Sequence, residues 1–183
     1  MNGRVALLAE LDAHVPYDAR ERDMIERTRA FVHANERCFE RTHAAGHVTG
    51  SAWIVDRSLA AAVLTHHRKL EKWLQLGGHA DGESDVRAVA AREAFEESGL
   101  GSLVFARHAI YDVDVHDIPA RGDEPAHVHY DVRFAFFADR NERPVASAES
   151  HRVEWIPLDK LENYAIDDSV RRLAAKSRDL ART

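Results

Sequence analysis

The run from Gly78 to Leu100, GHADGESDVRAVAAREAFEESGL, constrains this chain more than any other stretch. A helix turns about 100° per residue, so Glu93 and Glu97 lie one turn apart with Glu96 on the same arc. Carboxylates so placed repel one another by a few tenths of a kcal/mol per pair. A divalent cation reverses that repulsion. Carboxylate oxygens suit Mg²⁺ or Mn²⁺, and Mg²⁺ commonly divides its coordination between water and substrate phosphates. The opposite face carries Val86, Val89, Ala90 and Ala94 and can rest on a sheet. Gly99 supplies a helix stop. An acidic helix is more commonly a solvated surface, but that reading leaves the Gly77-Gly78 pair, Arg92 and the Gly99 stop unexplained.

With those residues in register, the stretch resembles the Nudix box of the MutT-like Nudix hydrolases. The box pattern is Gly, five residues, Glu, seven residues, then Arg-Glu-apolar-x-Glu-Glu-x-Gly-apolar. Gly78, Arg92, Glu93, Glu96, Glu97 and Gly99 match, and Ala94 and Leu100 fill the apolar positions. The box opens as a Gly77-Gly78-His79-Ala80-Asp81 variant. One position departs: Ser84 stands where the pattern has its first glutamate, with Asp81 and Glu83 nearby as substitutes. The resemblance implies an α/β fold, a mixed sheet sandwiched between helices. It also implies Mg²⁺ or Mn²⁺ held by Glu93, Glu96, Glu97 and the backbone at Gly78, with Arg92 holding the glutamates in place. Glu149, ahead of Trp155, matches a loop glutamate that in some members assists the metal or acts as base; a solvated loop carboxylate is the competing reading.

The chain has 183 residues, of which 45% are hydrophobic and 31% charged, enough for one globular core. Its net charge of -6 disfavours a nucleic-acid polymer as partner, so a phosphorylated small molecule must be neutralised locally. A single cysteine, Cys38, allows no internal disulfide, fits a reducing cytoplasm, and reads as a small buried hydrophobe. No apolar run reaches membrane-spanning length and no signal-peptide pattern opens the chain, so no membrane partner is expected.

Residues 1–44 read as a helical extension packed on a core domain spanning 45–183. Val5, Leu7, Leu8 and Leu11 form an apolar stripe on a helix from Arg4 to Ala13. Asp18 caps a second helix running to about Glu36, with Met24, Ile25, Thr28, Phe31 and Val32 on one side. The extension packs on the core or forms a homodimer contact. Strands are expected at Val48–Val55, Ala60–Thr65 and Val153–Ile156, with a short one at Trp73–Leu76 entering a turn at Gly77-Gly78. Asp167 or Asp168 caps a last helix with Val170, Leu173, Ala174 and Leu180 inside.

The runs from Asp112 to His116 and from His127 to Phe134 alternate strictly and suggest a long hairpin. Asp112, Asp114 and His116 share one face, as do His127, His129, Asp131 and Arg133 on the partner strand. That face is the wet side of the sheet, a wall that receives substrate through His127, His129 and Arg133, or a second metal site of His116, His127 and His129 suited to Zn²⁺, Mn²⁺ or Fe²⁺. The wall ranks above the second metal, and it is expected to share a cleft with the box glutamates. His79, directly after Gly78, is placed to reach a phosphate or the metal.

The function these readings imply is metal-dependent hydrolysis of a diphosphate linkage in a nucleoside diphosphate derivative or related organic pyrophosphate. Gly77 and Gly78 let the backbone approach phosphate or metal closely, and a box glutamate or Glu149 takes the proton of the attacking water. A non-catalytic nucleotide-binding module on the same fold is the alternative. A prenyl-diphosphate isomerase would want a cysteine within the core domain, whereas Cys38 precedes it.

Overall fold

The computed structural model describes residues 2–68, 70–122, 125–146 and 150–182. Helices α1 (Gly3–Ala13) and α2 (Ala19–Ala34) precede strands β1 (His47–Asp56), β2 (Ala61–His67), β3 (Lys72–Leu74) and β4 (Leu76–His79). Helix α3 (Val86–Ser98) is followed by β5 (Val104–Phe105), β6 (Asp112–Ile118), β7 (His127–Ala138), β8 (Ser150–Pro157) and α4 (Asp168–Lys176). The fold is a mixed α/β sandwich.

Among the described residues, eight strands join one sheet. β1 and β7 run parallel over ten residue pairs, from His47 opposite His129 to Asp56 opposite Ala138. Along its other edge β1 pairs first with β4, then with β2. β6 and β7 form the expected long hairpin, with Asp112 opposite Arg133 and His116 opposite His129. β5 adds two residues to β7, and β8 pairs with β2.

Alternation assigns the faces. Val48, Ala52 and Ile54 of β1 and Val132, Phe134 and Phe136 of β7 pack with α1, α2 and α3. Trp53, Val55, Ala135 and Ile156 point the other way, toward Val170 and Leu173 of α4. In α1 the buried stripe is narrower than expected: Leu7 and Leu11 are buried, while Val5 is 55% exposed. Asp18 caps α2 by accepting from the Glu21 amide, and Asp167, not Asp168, caps α4 by accepting from Val170. Gly99 ends α3 in the left-handed conformation, at φ 65°, which glycine adopts without steric cost. Cys38 is buried, and burial pushes its thiol up to about 11. No helix among the described residues is long and apolar enough to cross a membrane.

Gly77 and Gly78 are strand residues, not a turn: they pair with Ser51 and Gly50. Glycine is required there by space. A Cβ on Gly50 would stand 2.9 Å from the Val86 carbonyl oxygen of α3, so the helix lies directly on the strand. Ser84 has a comparable explanation. A Cβ on Gly3 would stand 2.2 Å from the Ser84 Cβ, so the first turn of α1 occupies the space into which a glutamate at 84 would extend.

The hairpin's polar face is not wet. Asp112, Asp114, Asp131 and Arg133 are buried together with Arg172 and Lys176 of α4 and Glu21 of α2. Arg133 donates to Asp131 at 2.7 Å, Asp112 at 3.1 Å and Asp114 at 3.2 Å. Arg172 donates twice to Asp112, at 2.9 and 2.8 Å, and to Asp114 at 3.1 Å. Lys176 bridges Glu21 and Asp112 at 2.7 and 2.9 Å. The cluster also covers the edge of β6: the Val113 amide donates to Glu21, and the Val113 carbonyl accepts from Arg172. Burial works to raise the Glu21 carboxyl, but hydrogen bonds from His14 and Lys176 and the Lys176 charge hold it low, at about 2. Removing one member of such a buried set strands its partners' charges. Asp112→Ala is therefore expected to cost about 3–5 kcal/mol, read as a fall in the urea midpoint at unchanged slope.

Candidate metal and substrate site

Helix α3 meets β4 where the strand lacks side chains. A Cβ on Gly78 would stand 2.5 Å from the Glu93 carboxyl carbon, so the Glu93 carboxylate fills the space that any larger residue would take. The Gly77 amide donates to Glu97 at 2.9 Å. Arg92 gathers the rest: it lies 2.7 Å from Glu93, donates to Glu96 at 3.1 Å, and donates to the His79 carbonyl at 3.1 Å. Two carboxylates, Glu93 and Glu97, thus lie against bare backbone, and the Arg92 guanidinium joins Glu96 to Glu93. Of the proposed substitutes for the glutamate at 84, Glu83 accepts from the Asp85 amide and Asp81 lies 3.8 Å from Arg41. Glu149 lies outside the described residues.

Beneath the strands, Asp131 organises β1. It accepts from Thr49 at 2.9 Å, Ser51 at 2.7 Å and Arg133 at 2.7 Å. Ser51 in turn abuts Gly77: a Cβ on Gly77 would stand 2.1 Å from the Ser51 hydroxyl. Arg133 is buried and committed to three carboxylates, so it lies inside the molecule rather than on a substrate wall.

The histidines form a second assembly. His79 of β4, His47 of β1, His127 and His129 of β7 and His116 of β6 arrive from four neighbouring strands. The His129 ring centroid lies 4.8 Å from that of His47, 5.0 Å from His127, 5.2 Å from His79 and 5.4 Å from His116. Gly50 faces α3, so by alternation His47, and His129 opposite it, belong to the other face of the sheet. His127 and His129 therefore do not line the groove between α3 and β4 that holds Glu93. His47, His127 and His129 each bring a ring nitrogen within 4.8 Å of the others, a set able to coordinate a divalent metal ion. His47, absent from the sequence-based set, displaces His116 from it. The parallel pairing that brings residue 47 to residue 129 leaves no mark on local sequence.

Burial lowers the His47 imidazole to about 4, with the neighbouring His79 and His127 adding to the shift. His129 is depressed further by burial and by His116 and His47. Both rings are thus neutral near pH 7. A depressed folded-state value means that, below an unfolded value near 6.5, the unfolded chain binds protons that the folded chain refuses. Stability is expected to fall as pH drops from about 6.5 toward 4, and His47→Asn should flatten that part of an unfolding-midpoint profile. At the carboxylates, Gly78→Ala should displace Glu93, and any affinity of this group for Mg²⁺ or Mn²⁺ should fall by about 10-fold or more in a calorimetric titration.

A family model described as "NUDIX domain" matches residues 45–176. No curated protein matches. Among solved structures, a NUDIX family hydrolase from Clostridium perfringens superposes with a TM-score of 0.54 at 24% identity, covering 73% of this chain and 97% of that one. A binary complex of the C. elegans Ap4A hydrolase gives 0.59 at 18% identity, covering 74% and 98%. A MutT NUDIX hydrolase from Burkholderia pseudomallei gives 0.52 at 21%, covering 72% and 97%. At these identities the structures speak for the fold, while the family model spans most of the chain and the box residues meet as described. The chain belongs to the NUDIX domain family.

Proposed function

We propose that this protein is a metal-dependent hydrolase that cleaves a diphosphate linkage in a nucleoside diphosphate derivative or a related organic pyrophosphate. The observation that carries the reading is the convergence of Glu93 and Glu97 on the side-chain-free backbone of Gly77 and Gly78, with Glu96 joined through Arg92. The donor set fits Mg²⁺ or Mn²⁺: it consists of carboxylate oxygens, with Gly78 backbone beside them, and one arginine leaves the group net negative. Glu93, Glu96, Glu97 and Gly78 would hold the ion. When bound, it neutralises phosphate oxygens and makes a bound water more acidic.

The chain's own groups do the rest. Arg92 is spent on Glu93, Glu96 and the His79 carbonyl, so it positions carboxylates rather than substrate. The Gly77 amide fixes one oxygen of Glu97 and so sets the direction of the other. A box glutamate, or Glu149, takes the proton of the attacking water. His79, at the end of β4, stands next to Gly78 to receive a phosphate oxygen. The substrate is a small phosphorylated molecule, since a net charge of -6 repels a nucleic-acid polymer. The buried free Cys38 fits a cytoplasmic setting.

The test is a panel of nucleotide pyrophosphates with Mg²⁺ or Mn²⁺, resolving which phosphate is released. Glu93→Gln and Glu97→Gln should each lower kcat by about two to three orders of magnitude while the circular dichroism spectrum stays the same. Near-normal rates in both variants at saturating metal would defeat the proposal. Stoichiometric nucleotide binding with no turnover across the panel would instead establish a binding module.

A further inference from the structure

Of the five histidines gathered by β4, β1, β7 and β6, the carboxylate site uses none but His79, and one of the others is hard to explain without a ligand. His47 is 2% exposed, and both of its ring nitrogens are buried with no hydrogen-bond partner among the described residues. A neutral imidazole carries one N–H and one lone pair, so both kinds of bonding capacity are enclosed and unused. The rest of the cluster is built. The His127 Nδ1 lies 2.9 Å from the Pro125 carbonyl, which can only accept. Nδ1 therefore carries the proton, and Nε2 directs a lone pair inward, to 3.1 Å from the His129 Nε2. A backbone carbonyl that fixes the tautomer of an imidazole in this way is the usual outer support of a metal-ligating histidine.

We propose that His47, His127 and His129 bind a divalent transition-metal ion of the Zn²⁺ class, at a site distinct from the Glu93–Glu97 platform. The ligand chemistry separates the two sites: imidazole nitrogen favours Zn²⁺, Cu²⁺, Fe²⁺ or Ni²⁺, and carboxylate oxygen favours Mg²⁺ or Mn²⁺. The spacing suits such an ion. Two metal–nitrogen bonds of about 2.0–2.1 Å at a tetrahedral angle hold their nitrogens about 3.3 Å apart, close to the His127–His129 separation. Three protein ligands leave one position open on such an ion, and the His79 and His116 rings both lie beside His129. The His116 side chain is 41% exposed, so that side of the cluster reaches solvent, and a water or a substrate oxygen can complete the coordination. A second group, His66, Glu71 and His151, is more exposed and has no enclosed unpaired nitrogen, and it serves as the internal control.

The experiment uses full-length protein stripped with a chelator, then titrated with Zn²⁺ by calorimetry and with Co²⁺ by visible absorption. One tight ion per chain is expected, not displaced by millimolar-range Mg²⁺, with the intense visible bands of a four-coordinate nitrogen-ligated Co²⁺. His47→Asn and His129→Asn should each weaken Zn²⁺ by about 100-fold or more, whereas Glu97→Gln and His151→Asn should leave it within about two-fold. The wild-type Co²⁺ spectrum decides the matter even if a histidine variant fails to fold, which its circular dichroism would show. An octahedral Co²⁺ spectrum in the wild type would overturn the site. So would Zn²⁺ binding lost in Glu97→Gln or His151→Asn, or unchanged in folded His47→Asn and His129→Asn.

Discussion

The buried ionic cluster around Asp112 is the interaction on which the other arrangements rest. Arg133, Arg172 and Lys176 meet Asp112, Asp114, Asp131 and Glu21 in a region closed to water. Desolvating that many charges is costly, and only their mutual bonding makes it tolerable. The consequence is geometric. α4 cannot leave β6 without stranding Arg172, and α2 cannot leave without exposing the unpaired edge of Val113. From Arg133 the bonding passes to Asp131, then to Thr49 and Ser51, and Ser51 abuts Gly77. The strand that receives the box carboxylates is thus held from below by the same charges that dock the terminal helices.

Above that strand the controlling quantity is space. Glu93 can lie against Gly78 only because no Cβ is there, and α3 can lie on β1 only because Gly50 has none. Close approach of helix and strand brings the Gly77 amide to Glu97 and lets Arg92 reach the His79 carbonyl. Electrostatics then follow from geometry: three carboxylates with one guanidinium form a locally negative patch. The two donor sets stand apart chemically and spatially, oxygen on the α3 side of the sheet and nitrogen on the other.

Several parts of this were legible from local pattern. The period of Val86, Val89, Ala90 and Ala94 gave the buried face of α3, Asp18 and Gly99 marked helix ends, and strict alternation from Asp112 and from His127 gave the β6–β7 hairpin with its polar residues on one face. The box spacing located Glu93, Glu96 and Glu97. Other parts were not. The polar hairpin face resembled a solvated surface, because alternation says which residues share a side and nothing about what covers it. Arg172 and Lys176 looked like the outer face of an amphipathic helix, and they are buried because their partners lie about 60 residues away on β6.

The sequence by itself determined the elements and the carboxylate arc, because these depend on spacings within one helix or one strand. Tertiary structure alone decided which charges are interior and which histidines meet. His47 and His129 are neighbours only because β1 and β7 pair in parallel, and His79 joins them only because β4 pairs antiparallel to β1. The register of strands far apart in the chain is set by packing of both sheet faces at once. No local window of residues contains that information.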